Sequence, residues 1–204
     1  MGYQIVSVAA KDKGKVQICL DNGDLFDLYK GEAYKLSLFE NKALTDEEYH
    51  HILTEIVGKR ATKYAMHLLE RRERTEKQLR DKLEQQQYPS VCVEQAIAYV
   101  KSYHYLDDMR YACVYIRYHQ EKESRQKLQM KLAMRGISKD IIEQALEEEY
   151  VSDDTAKIEE LLRKRHYNKE DADQDAYRKM VQFLMRRGFR THDIFRVLKQ
   201  PVNY

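Results

Sequence analysis

The sequence predicts a mainly α-helical protein: three tandem three-helix repeats in an elongated, curved array, preceded by a small antiparallel hairpin or sheet and a helix. Three observations carry this prediction. A helical pattern returns at intervals of roughly fifty residues, which is the signature of a repeat array. Only two prolines and seven glycines stand among 204 residues, so little breaks a helix. Within residues 3–29 apolar residues alternate with polar ones in two runs, as strands do.

The head comes first. Val6/Val8 and Val16/Ile18/Leu20 recur at period two, and Asp21-Asn22-Gly23-Asp24 is a hairpin turn whose Asn and Gly accept the positive φ that a tight turn needs. Leu25 and Phe26 are both apolar, so the register of the returning strand through Tyr29 stays open. Residues 30–44 carry Leu36, Leu38 and Phe39 but no readable period. Thr45 with Glu48 forms a capping box, which opens a helix bearing Ile52, Leu53, Ile56 and Val57. Gly58 either divides it from the first helix of the array or only weakens one long helix by about 1 kcal/mol; a soft boundary is the preferred reading, so the head spans 1–58.

Each following unit begins with a helix, carrying Tyr64/Leu68/Leu69, Tyr111/Tyr115/Ile116 and Ile158/Leu161/Leu162 in turn. The recurring stretch comes next, at 75–88, 124–137 and 176–189. Each copy has two apolar residues four apart, Leu79/Leu83, Leu128/Leu132 and Met180/Leu184, which share one helical face. Each closes on an apolar residue that folds back over that face: Tyr88, Ile137 and Phe189. Gly136 and Gly188 sit where a left-handed residue ends the helix; Gln87 stands there in the first copy, where a non-glycine costs about 1 kcal/mol, so a different turn is expected. Ser90, Ser138 and Thr191 then start a third helix as caps, followed by Ile97/Val100, Ile142/Leu146 and Ile194/Leu198. The units are expected at 59–104, 105–150 and 151–204, the last with an acidic connector at 167–175.

Several function classes fall away. His50 and His51 are adjacent on a helix and no HExxH or Cys/His cluster accompanies the seven histidines, so no metal site is expected. Asp107-Asp108 and Asp153-Asp154 lie at helix starts, where the helix dipole accounts for them without acid–base chemistry. There is no glycine-rich phosphate loop and no nucleophile elbow, so neither catalysis nor a cofactor is expected. No run approaches a membrane span, and three cysteines without paired spacing suit a reducing cytoplasm. Tyr99, Tyr103, Tyr105, Tyr111, Tyr115 and Tyr118 cluster at the first unit junction and are expected mostly in the core.

Net charge is only +2, but it is unevenly spread: residues 1–57 hold 6 basic and 10 acidic side chains, the remainder 30 and 24. The candidate binding residues are the cations at the repeat corners. Arg71, Arg72, Arg74, Lys77 and Arg80 gather in the first unit. Arg117, Arg125, Lys127, Lys131 and Arg135 take the matching places in the second, and Arg186, Arg187 and Arg190 in the third. Pairing with nearby glutamates on solvated helix faces explains such residues as well as a binding role does. Alignment along one side of an array would suit phosphates or an acidic protein surface.

At these residues the sequence resembles the RecX family, regulatory proteins of the bacterial recombinase RecA. The resemblance is carried by Ala65, Leu68, Leu69, Arg72, Thr75, Gln78, Leu79 and Leu83, by Tyr105-Leu106-Asp107-Asp108 with Tyr111-Ala112, and by Lys131-Leu132 with Gly136-Ile137. It covers about 59–200, and the head resembles an extension found in some members. Thr75 replaces the family's usual Ser, and Met130-Lys131-Leu132 departs from its commoner acidic pattern. The resemblance implies a cytoplasmic, monomeric, non-enzymatic protein of DNA repair, recombination and the SOS response. It would lodge in the groove of the RecA–DNA filament and limit its growth or promote its disassembly. A module that binds single- or double-stranded DNA directly, without RecA, is the alternative.

Overall fold

In the computed structural model, residues 2–151 and 153–198 are described. Strands β1 (Tyr3–Ala10), β2 (Lys15–Leu20) and β3 (Leu25–Tyr29) form an antiparallel meander, and the short β4 (Ala43–Leu44) adds to the far side of β1, giving the order β3-β2-β1-β4. Gly23 takes φ 86° in the predicted turn. Pairing of Ile18 with Phe26 and Val16 with Leu28 resolves the register: Phe26 and Leu28 are buried and Leu25 is exposed. On β1 the inward residue is Ile5 rather than Val6. A bulge between Ile5 and Ser7 leaves Val6 in solvent, so the Val6/Val8 alternation expected from period two is broken. The unassigned stretch holds α1 (Lys30–Lys35) as well as β4.

Helix α2 (Asp46–His51) opens on the Thr45–Glu48 capping box, with backbone-to-side-chain bonds of 2.9 and 3.1 Å. It passes without interruption through a π-helical stretch, Ile52–Gly58, into α3 (Lys59–Arg71). Gly58 therefore does not end a helix; its φ and ψ are helical. Its lack of a side chain serves packing, since a Cβ there would lie 2.1 Å from Gln95 Oε1 and 2.8 Å from the Leu53 carbonyl oxygen. Gln95 Nε2 in turn donates to the Thr54 carbonyl at 3.2 Å.

The remaining helices are α4 (Glu76–Gln85), α5 (Ser90–Ser102), α6 (Asp108–His119), α7 (Arg125–Met134), α8 (Lys139–Glu149), α9 (Asp154–Lys164), α10 (Gln174–Arg186) and α11 (Thr191–Leu198). They form three triplets. In each, the first and third helices pack together, and the second presents its pair of apolar residues to them. Leu79, Leu83, Leu128, Leu132 and Leu184 are wholly buried and Met180 nearly so. α10 begins within the acidic connector, where Asp173 caps it by accepting from the Ala176 N–H at 2.7 Å.

The three recurring turns are alike. Gln87, Gly136 and Gly188 all adopt positive φ, at 59°, 84° and 82°. In each, the left-handed residue's N–H bonds back to a carbonyl three residues earlier and the next N–H bonds to one five earlier, as from Tyr88 to Leu83, Ile137 to Leu132 and Phe189 to Leu184. That is a Schellman closure, and it is what folds the apolar tail residue over the helix face. Gln87 does not change the turn, contrary to expectation. The expected caps do not all act: Pro89, not Ser90, is the N-cap of α5, and the Ser138 hydroxyl makes no capping bond to α8.

The chain divides into two compact units, one up to Asp107 and one from Asp108 onward. In the first, the inner face of the sheet and the first triplet share a single core from Ile5 to Leu106. Arg60 pins the two parts together: it donates to the Asp27 carbonyl at 2.9 Å, pairs with Glu32 at 2.6 Å and lies over the Tyr29 ring. In the second unit the second and third triplets keep separate cores. Between them Lys157 Nζ donates to the Glu123 carbonyl at 2.9 Å and to the Tyr150 hydroxyl at 2.8 Å. Burial pulls the Lys157 pKa down, and Asp154 partly offsets it.

Candidate partner-binding surface

The corner cations differ in what they touch, and that separates them. In the first unit Lys77 pairs with Asp81 at 3.1 Å, and Arg80 is clamped by Glu94 and by Glu76, which hold its pKa above the ordinary value. Arg74 is half-buried at the α3–α4 turn, with its Nε buried and unpartnered. Burial, and then the Arg72 charge, pull its pKa down. Arg71 and Arg72 stand exposed, with no carboxylate paired to them among the described residues.

In the second triplet Arg117 forms a two-pronged pair with Glu149, and Lys131 pairs with Glu123. The Arg117 bond is the chief reason the Glu149 carboxyl sits below its usual range. Arg125 donates to the Leu146 carbonyl at 3.2 Å and lies near the Tyr150 ring. Arg135 donates to the Lys131 carbonyl at 2.8 Å and covers Tyr115 at 4.5 Å. These four hold their own triplet together. Lys127 has no such partner among the described residues.

In the third triplet Arg187 lies over the Phe183 ring at 4.8 Å, and Arg186 and Arg190 are exposed without a carboxylate partner among the described residues. Lys127, Arg186 and Arg190 line one groove between α7 and the α10–α11 corner. Arg187 lies in a smaller hollow with Lys122, which also shares Phe189. The structure therefore gathers three of the thirteen candidates into one site across two triplets, and leaves Arg71 and Arg72 as a separate exposed pair in the other unit.

The joint that forms the groove is tightly built. Ser124 caps α7 by accepting from the Lys127 N–H at 3.3 Å, and its hydroxyl donates to the Gly188 carbonyl of the third triplet. Gly188 packs so closely that a Cβ would lie 2.9 Å from Lys127 Cβ and 3.0 Å from Ser124 Oγ. Ser124 is wholly buried in consequence.

Two features escaped the sequence reading. Met130 and Met185 also line the groove and are half-exposed. The one hint in the sequence is Met130, part of the stretch that departs from the commoner acidic pattern of the family it resembles. The tyrosines, expected mostly in the core, are mainly outside it: Tyr99, Tyr103, Tyr105 and Tyr118 are exposed, and only Tyr111 and Tyr115 of the six are half-buried. Ile97 and Val100 already fill the inner face of α5, so Tyr99 is turned outward, where its ring meets Tyr103 at a tilt, 4.8 Å between ring centres, and Tyr103 stacks on Tyr105 at 5.9 Å. Among the described residues no group of His, Cys, Asp and Glu is placed to hold a metal ion, and no helix is long and apolar enough to cross a membrane.

Three family models match in order: "RecX, first three-helix domain" at 61–106, "RecX, second three-helix domain" at 107–146 and "RecX, third three-helix domain" at 152–198. The chain belongs to the RecX family. A protein named Regulatory protein RecX from Caldanaerobacter subterraneus subsp. tengcongensis is 29% identical over 196 residues, covering 95% of this chain and 98% of that one. One of the same name from Clostridium botulinum (strain Alaska E43 / Type E3) is 26% identical over 202 residues, covering 98% and 95%. A crystal structure of regulatory protein RecX superposes with a TM-score of 0.64 at 22% identity over 97% of this chain and 98% of the other. RecX from Lactobacillus salivarius gives 0.58 at 21%, over 70% and 95%. At these identities the structures speak for the fold alone, sheet-bearing head included in the first.

Proposed function

We propose that this RecX-family chain regulates RecA by binding in the groove of the RecA–DNA filament, where it limits filament growth or promotes disassembly, and that it does so without catalysing a reaction. The observation that carries the reading is the membership of a regulatory family along three successive triplets. The distribution of charge supports it: among the described residues Lys127, Arg186 and Arg190 stand free of carboxylates at a groove while Lys77, Arg80, Arg117 and Lys131 are internally engaged. A net body charge of only +6 over residues 58–204 favours an acidic protein surface over naked DNA, since direct DNA binders are commonly more basic.

The test adds substoichiometric protein to RecA assembled on single-stranded DNA. Co-sedimentation with the filament and a fall in DNA-dependent ATPase and strand exchange are expected. Unchanged rates with no co-sedimentation would refute the reading. Binding to DNA without RecA that weakens steeply with salt would instead support a direct DNA-binding module.

A further inference from the structure

The groove between α7 and the α10–α11 corner encloses about 320 Å³ and combines two chemistries that seldom meet on a solvated face. Lys127, Arg186 and Arg190 supply three positive charges, and among the described residues no acidic side chain lines the groove. Met130 and Met185 bring two thioethers into the same space, 56% and 51% exposed, beside the buried edge of Phe189. The frame beneath them is fixed by the Ser124–Gly188 bond and the close packing of Gly188 on Lys127. The cations and the methionines themselves are unbranched and adaptable. A rigid frame with adaptable apolar and cationic walls suits a short segment that offers both an apolar side chain and carboxylates.

We propose that this groove docks an acidic peptide segment of a protein partner, with an apolar side chain seated on Met130 and Met185 and flanking carboxylates on Lys127, Arg186 and Arg190. The inference rests on the reading of the chain as a filament regulator and states what chemistry on the filament protein this face meets. Guanidinium groups donate two parallel N–H bonds to a carboxylate, which matches the two arginines. A phosphodiester backbone would satisfy the cations but leave both thioethers in water, and the groove's aromatic ring is buried, so no base can stack on it. Charge and apolar complementarity together therefore favour peptide over nucleic acid.

The test uses the full-length chain and fluorescence anisotropy with three labelled probes. One is a ten-residue Asp/Glu peptide with a central Leu-Phe pair, one the same peptide with Ser-Ser at the centre, and one a twenty-nucleotide oligo-dT. The Leu-Phe peptide is expected to bind at least about fivefold tighter than the Ser-Ser peptide. Met130→Ser with Met185→Ser should remove that advantage, and Arg186→Glu with Arg190→Glu should weaken both peptides roughly tenfold or more at unchanged melting temperature. Equal affinity for the two peptides, no binding of either, or variants that impair oligo-dT while sparing the peptides would overturn the proposal. Filament co-sedimentation separates the two levels. If the arginine double variant still co-sediments as the unaltered chain does, the groove assignment fails and the regulatory reading stands. If the unaltered chain does not co-sediment, the regulatory reading fails whatever the peptides do.

Discussion

Gln87, Gly136 and Gly188 occupy equivalent left-handed positions, yet they do not answer to the same constraint. Gln87 bears only the conformational cost of positive φ, and its side chain accepts from Lys11 Nζ at 2.8 Å. Gly188 bears a steric one as well, because Lys127 and Ser124 lie against it. Gly188→Ala is therefore expected to destabilise the second unit by about 1–3 kcal/mol, adding overpacking to left-handed strain. Gln87→Gly relieves strain but frees the unfolded chain, so its net change should stay under about 1 kcal/mol. Urea titrations of the two variants check this; equal losses would mean that the contact at Gly188 contributes nothing. At this scale the sequence was legible in part. Glycine at 136 and 188 announced the closing turn, but a residue with a side chain at 87 hid the third instance, because the Schellman bonds are made by backbone atoms that any residue supplies. The outward tyrosines were hidden for a related reason: a ring buries well enough that clustering alone cannot tell core from surface.

Among the elements, the π-helical stretch at Ile52–Gly58 is the one no periodicity announced. Apolar spacing predicted a helix there, correctly, but a glycine inside it looked like a boundary. It is instead a place where Gln95 of α5 comes close to the helix backbone and bonds to the Thr54 carbonyl. Gly58→Ala should lower the unfolding free energy by about 1–3 kcal/mol. Gln95→Ala in the same chain should recover only part of that, since the Leu53 carbonyl still opposes the new methyl. Full recovery in a double-mutant cycle would assign the whole constraint to Gln95. The β strands show the converse. Period two located them, but it could not foresee the bulge that turns Val6 out, because a bulge changes register without changing composition. The helical triplets were the most legible, since each repeats a pair of buried residues whose fourfold spacing leaves one face and no other to bury.

Across the molecule, buried acidic protons set a limit on stability at high pH. Burial pushes the Cys92 thiol up to about 12, where it donates to the Leu53 carbonyl, and burial raises the Tyr88, Tyr49 and Tyr150 hydroxyls as well, with Asp24 and Asp154 adding to the last two. In the unfolded chain a thiol titrates near roughly 8.5 and a phenol near roughly 10. The unfolded state therefore releases these protons first. Their contribution is intact below about pH 8 and is lost as pH rises toward the folded values. Urea midpoints are expected to hold level from pH 7 to 8 and to fall between pH 9 and 11; a flat profile would contradict the burial of these groups. The candidate site was legible at this scale only as a list of cations. Which of them are spent on Glu149 or Glu94 depends on contacts between helices, and so does the meeting of Lys127 with Arg186 and Arg190.

Ser124 closes its own helix and at the same time holds the triplet that follows, through a hydroxyl with one proton to give. Its partner must then arrive as bare backbone, which glycine at 188 permits. Modules that look interchangeable as text are thus keyed to their neighbours: moving the third triplet elsewhere in the chain would need a matching hydroxyl at the start of whichever helix received it.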